Sequence, residues 1–145
     1  MTANVLNETS PSVQTHLGIV QGVIERMAAN SSQCKAWCIT IVSAILVIIA
    51  DKGKPDFTWI ALLPTTLFMF LDVYYLTLEK RFRESYDKFV KSLHTGALST
   101  EDLYFVEAAG NICKHVVTSL KSFSIWGFYL GLVFLVIITR NLALA

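Results

Sequence analysis

Three long apolar blocks divide this chain, and the polar stretches between them keep a helical rhythm. Residues 36–50 (AWCITIVSAILVIIA) carry no charge. As a helix that block is about 22 Å long, short of a ~30 Å hydrocarbon layer. Lys35 on one flank and Asp51 and Lys52 on the other can snorkel and extend it, and Trp37 stands where an interfacial aromatic belongs. Residues 57–78 (FTWIALLPTTLFMFLDVYYLTL) hold one charge, Asp72, and residues 123–139 (FSIWGFYLGLVFLVIIT) hold none. Each block predicts a membrane-spanning helix, and residues 51–56, with Gly53 and Pro55, predict a tight turn between the first two.

The polar stretches also read as helices. Val13, Leu17, Val20, Ile24 and Met27 recur at alternating steps of four and three, a seam for packing on another helix. Gly18 and Gly22 beside it allow close backbone approach. Ser10-Pro11 suits a cap and first turn, and Asn30-Ser31-Ser32 is a place for a break or bend before the first span. After the second span Phe82, Tyr86, Phe89 and Leu93 continue the stripe as far as Thr95-Gly96. Ser99 and Asp102 then have capping-box spacing, and the expectation is a helix from Thr100 running through Lys121 into the third span.

Composition agrees with lipid as the surroundings. Hydrophobic residues make up 54% of the 145 and charged residues 16%, against roughly a quarter charged in soluble domains. The net charge of +1 says nothing about partners, but its distribution does. Arg26, Lys35, Lys80, Arg81, Arg83, Lys88, Lys91, Lys114 and Lys121 fall on one side of the spans, and only Lys52, Lys54 and Arg140 on the other. The positive-inside bias then puts the N-terminus in the cytoplasm and the C-terminus outside. The expected fold is an all-α, integral membrane protein, a symmetric homo-oligomer of three transmembrane helices with cytoplasmic helical extensions. It divides into an N-terminal tail and amphipathic helix (1–35), a helical hairpin (36–78), a cytoplasmic helical cap (79–122) and a last span with a short outer tail (123–145). Cys34, Cys38 and Cys113 read as reduced thiols, no signal peptide is evident, and the polar first dozen residues read as a loose tail.

Asp72 is the sharpest residue. A carboxylate inside a span costs ~2.5–3.5 kcal/mol on insertion scales, so it faces helices or water. Thr58, Thr65, Asp72 and Glu79 recur every seven residues and share one face, which is expected to line or gate an ion path, or to line the centre of a symmetric bundle. The plainer alternative is an anchor: Asp72 near the membrane edge, paired with Lys35, Arg26 or a tyrosine. Ser124, Gly127 and Gly131 make a small-residue ridge for helix packing. Arg81, Arg83, Lys88 and Lys91, with Lys114 and His115, would ring a vestibule in an oligomer and suit a polyanion, the neighbouring aromatics stacking bases. In a single chain the same groups serve topology and anionic headgroups. His16, His94 and His115 read as surface or helix-end residues. No catalytic motif or metal spacing occurs, so neither enzyme activity nor a cofactor is expected.

Val20-Gln21-Gly22-Val23-Ile24-Glu25-Arg26-Met27-Ala28-Ala29-Asn30-Ser31, then Lys35 and Trp37, resembles a group of small bacterial membrane proteins. Leu71-Asp72-Val73-Tyr74-Tyr75-Leu76 with Glu79, Phe82-Arg83 and Tyr86-Asp87 looks like that group's second signature. The group is similar to the SLATT-like membrane effectors of nucleotide-signalled anti-phage defence. The resemblance covers residues 16–90 and departs after them, because such effectors have two spans and this chain a third. It implies a ligand-gated ion channel or pore in the bacterial inner membrane. The signal would be an anionic nucleotide or short single-stranded DNA, made by a nucleotidyltransferase encoded nearby. The alternatives are a non-conducting scaffold docking a soluble partner through residues 13–27, and a small transporter subunit using Asp72.

Overall fold

A computed structural model describes residues 6–144, the side chains of 143 and 144 excepted. The expected loose tail thus lies partly outside the described residues. Every regular element among those described is helical: α1 (Pro11–Lys52), a 3-10 segment (Pro55–Ala61), α2 (Leu62–His94), a 3-10 turn (Thr100–Asp102), α3 (Ile112–Leu120) and α4 (Phe123–Leu144). Three of the helices are long and apolar enough to cross a membrane.

Helix α1 starts where Ser10-Pro11 predicts, with Ser10 as N-cap and Pro11 in the first turn. It runs 42 residues without a break, about 63 Å and twice the hydrocarbon thickness. The break considered at Asn30-Ser31-Ser32 is absent. Serine and asparagine weaken a helix interior by only about half a kcal/mol each, and here Ser31 is buried by tertiary packing. Gly53 ends α1 in the left-handed conformation (φ 60), and α2 ends at His94, before Gly96 (φ 68), as its stripe predicts.

Contacts fix the register. Gln21 donates to Tyr86, His16 stacks on Phe89 and Lys35 pairs with Asp72, so α1 and α2 form one long antiparallel hairpin. Arg140 lies over the Trp59 ring and His115 pairs with Glu84, so α3 and α4 both run back along α2 in a second common register. The core between the spans contains Cys38, Val42, Leu46, Ala61, Val73, Ile125, Tyr129, Leu132 and Val136. The seam of residues 13–27 is covered within the chain, with Val13, Val20 and Ile24 buried. Gly18 and Gly22 are exposed, and a Cβ on either would touch nothing.

Two expectations need correction. The helix expected from Thr100 into the third span is one 3-10 turn, an irregular stretch, then α3, a break at Lys121-Ser122, and α4. The Ser99–Asp102 capping box does form, but Leu103 is extended, Tyr104 has φ 65 and Gly110 φ 79. Side chains take over the backbone partners a helix would supply. Arg81 donates to the carbonyls of Ala108 (2.5 Å) and Ala109 (3.1 Å), and His16 Nδ1 accepts the Tyr104 N–H at 2.9 Å. At the break the Trp126 indole donates to the Leu120 carbonyl at 2.5 Å.

The second correction is His16, which is buried rather than at the surface and stacks on Phe89 with ring centroids 4.2 Å apart. Burial pushes its pKa below the ordinary 6.5, and Asp102 opposes this only in part. Because the folded chain favours neutral His16, this contribution to stability is complete above pH 6.5. It is lost as pH falls through the lowered folded value. Exchange of the Tyr104 amide, corrected for its intrinsic rate, should therefore accelerate as pH falls from 6.5 through that lowered value and level off below it. A rate ratio flat with pH would mean that the His16 proton plays no part in docking this segment.

Candidate functional site

Three of the four residues of the polar line, Thr58, Thr65 and Asp72, are buried. Thr58 lies in the 3-10 segment, fully buried, its hydroxyl donating to the Pro55 carbonyl at 2.6 Å. Thr65 is buried one level on and donates to the Ala61 carbonyl at 2.8 Å. Glu79 pairs with Arg83 at 2.8 Å, one turn along the same helix. Between them Asp72 has no solvent exposure at all.

Asp72 is the centre of a three-helix cluster. Lys35 of α1 reaches its Oδ2 at 2.6 Å, and the Ser31 hydroxyl, one turn earlier, donates to Oδ1. The Lys35 ammonium also donates to Ser31 Oγ at 3.3 Å. From α4 the Tyr129 hydroxyl faces the carboxylate, buried and without a hydrogen-bond partner of its own. The register of α4 puts Phe123 level with about residue 76 of α2, so Asp72 lies about one helical turn inside the start of the last span. A buried ion pair there fits the anchor reading: it neutralises the carboxylate and fixes the level of α1 against α2. Of the partners expected for Asp72, Lys35 is in place and a tyrosine, Tyr129, faces it, whereas Arg26 is exposed and takes no part. Ser31 was not foreseen as one, although it stands four residues before Lys35 on the same helical face.

The basic residues separate into three groups. In the first, Arg81 holds the Ala108 and Ala109 carbonyls, and the carboxylate of Glu84, on the same helix, binds Lys88 at 2.8 Å and His115 at 2.7 Å. These two neighbours, Lys88 first, hold the Glu84 carboxyl below its ordinary pKa. Arg81 and Lys88, with Ser85, Phe105, Glu107 and Gly110, line a cleft of about 440 Å³. Arg83 lies elsewhere, in a cleft of about 480 Å³ with Gln21, Ile24, Glu25, Tyr86 and Asp87. Lys91 and Lys114 are exposed and line neither cleft. Within one chain, then, Lys88 is paired with Glu84, Arg81 is bound to carbonyls, and Glu107 adds a negative charge to the lining of the first cleft. Gly110 was also missed by pattern reading. Its φ of 79 lets the backbone pass so close to the Glu84–His115 pair that a Cβ would overlap the carboxylate.

No family model matches the chain, and neither the curated proteins nor the solved structures contain a match to it.

Proposed function

We propose that copies of this chain assemble into an ion-conducting pore in the bacterial inner membrane, gated at the basic end by an anionic nucleotide or short single-stranded DNA. The reading follows the SLATT-like effectors that residues 16–90 resemble. The basic end faces the cytoplasm, by the Lys and Arg bias, and the C-terminus lies outside. The observation that carries the proposal is the outer face of α1. Gly18, Gly22, Ala29, Ala36, Thr40 and Ser43 follow one another by four, seven, seven, four and three residues, all exposed, opposite the buried Val20, Ile24, Cys34, Cys38 and Val42. Exposed neighbours such as Trp37, Ile39 and Ile48 are large and apolar, as lipid requires. A strip of small and hydroxyl side chains suits instead a second helix at close range or a water-filled path.

In this reading α1 borders the path, and Thr58, Thr65, Asp72 and Glu79 act on it as a gate from inside the chain. The continuous helices α1 and α2 carry displacement from the basic end to the Lys35–Asp72 pair, and the signal shifts the population of open and closed states. Arg81, Arg83, Lys88, Lys91, Lys114 and His115, repeated around a ring, would supply the positive charge that one chain lacks. The test is current across planar bilayers. Thr40→Trp should cut conductance by about tenfold or more, equivalent to about 1.4 kcal/mol in an equilibrium or barrier, whereas Ile48→Trp should leave it unchanged. Wild-type protein that inserts but carries no current, with or without nucleotides, would reject the proposal and favour the scaffold.

A further inference from the structure

The oxygen groups around Lys35 form more than an ion pair. Asp72 contributes both carboxylate oxygens from α2, Ser31 its hydroxyl from α1, and Tyr129 its hydroxyl from α4. Asp72 is fully buried and Tyr129 is 3% exposed, so neither can turn to water for a partner. The Tyr129 hydroxyl faces Asp72 without a full hydrogen bond, its oxygen lone pairs accept from no donor, and Oδ2 is met by the ammonium alone, which is oxygen capacity that a plain salt bridge leaves idle. Lys35 differs from the rest. Its side chain is 19% exposed and rides on a flexible four-carbon stem, so it can withdraw along α1 toward the basic end. The cage it would leave holds one negative charge and neutral hydroxyls. Glu79, the next acid along α2, is bound to Arg83. One carboxylate matches one positive charge, whereas calcium-type sites gather six to eight oxygens with several acids.

We propose that this cage is a monovalent-cation site, at which a sodium-like ion and the Lys35 ammonium compete for Asp72. When the ion enters, Lys35 moves out to the basic surface, and α1, α2 and α4 are joined through a shared metal ion instead of a side-chain ion pair. This deepens the gate proposed above by naming what could set it. Its test needs no current, so a silent bilayer would leave it standing and a conducting one would not prove it.

The experiment uses purified full-length protein in neutral detergent, in sodium, lithium or potassium chloride against N-methyl-D-glucamine chloride at equal ionic strength. Removing the tethered competitor should expose the site: Lys35→Ala should gain about 3–6 °C in thermal midpoint with at least one alkali cation over the organic cation. Lys35→Ala with Asp72→Asn should gain nothing. Identical midpoints for Lys35→Ala in all four salts, or an equal gain in the double variant, would overturn the site. The wild type gives an independent reading should Lys35→Ala fail to fold. Reductive methylation of Lys35, followed by mass spectrometry, should be faster in the effective alkali salt than in N-methyl-D-glucamine, because the displaced amine is exposed. Equal labelling rates would likewise overturn the proposal.

Discussion

Replacing Lys35 by alanine should destabilise the bundle by about 3–5 kcal/mol in sodium-free buffer, the loss typical when one partner of a buried pair is removed. The reason is asymmetry. Asp72 is fully buried between α1, α2 and α4 and cannot reach water, so its charge would remain without a counter-charge. The ammonium of Lys35 is partly exposed and has a route out. Asp72→Ala should therefore cost distinctly less than Lys35→Ala, about 1–2 kcal/mol for the lost contacts and a small void. Lys35→Met with Asp72→Leu, which replaces the pair by apolar groups of similar volume, should lie within about 2 kcal/mol of wild type on either side. Unfolding followed by tryptophan fluorescence in detergent checks all three. Equal losses in the two single variants would mean that Lys35 is no freer than Asp72 and that the cluster is a rigid clamp.

Gly110→Ala should free the segment between α2 and α3 while leaving the three spans in place. A left-handed conformation costs an ordinary residue about 1–2 kcal/mol, and here the added methyl also collides with the Glu84 carboxylate and comes 2.7 Å from His115 Nε2. The ends of the Glu84 and His115 side chains must shift aside, and the strained backbone at residue 110 pulls on the neighbouring Ala108 and Ala109 carbonyls held by Arg81. Cleavage by a protease specific for aromatic residues, at Tyr104 or Phe105, should accelerate by about tenfold or more, since the local opening energy falls by at least that equivalent. Cleavage at the wild-type rate would show that the backbone yields there without cost.

How much of this was legible in the chain depended on whether a local rule or a distant partner decided the matter. The spans, the Gly53 turn, the Ser10-Pro11 start and the end of α2 near Gly96 follow from hydropathy and from residues that act on their own backbone. The stretch after Thr100 misled because its capping box is real but its continuation depends on Arg81 and His16, 27 and 88 residues away along the chain. Asn111, which caps α3 by accepting from the amides of Cys113 and Lys114, was a readable sign that a helix begins there. His16, three residues after Val13 and four before Val20, stands on the buried face by spacing alone; its partners, Phe89 and the Tyr104 N–H, are what a helical period does not give. The seven-residue polar line from Thr58 to Glu79 follows from helical period, but a helical face does not say whether it looks toward a neighbour in the same chain or toward an axis. The structure turns Thr58, Thr65 and Asp72 inward, and the small residues of α1 outward.

The central claim is that three helices cross lipid, leaving the basic end and the Gly53 turn on opposite sides. Native Cys113 is exposed in α3, while Cys34 and Cys38 are buried, so a membrane-impermeant thiol reagent can report it in sealed vesicles. Cys113 should be labelled only in vesicles that turn the cytoplasmic face outward. A cysteine at Lys54, with Cys113 changed to serine, should be labelled only in the opposite orientation. Labelling of both positions from the same side would contradict the account.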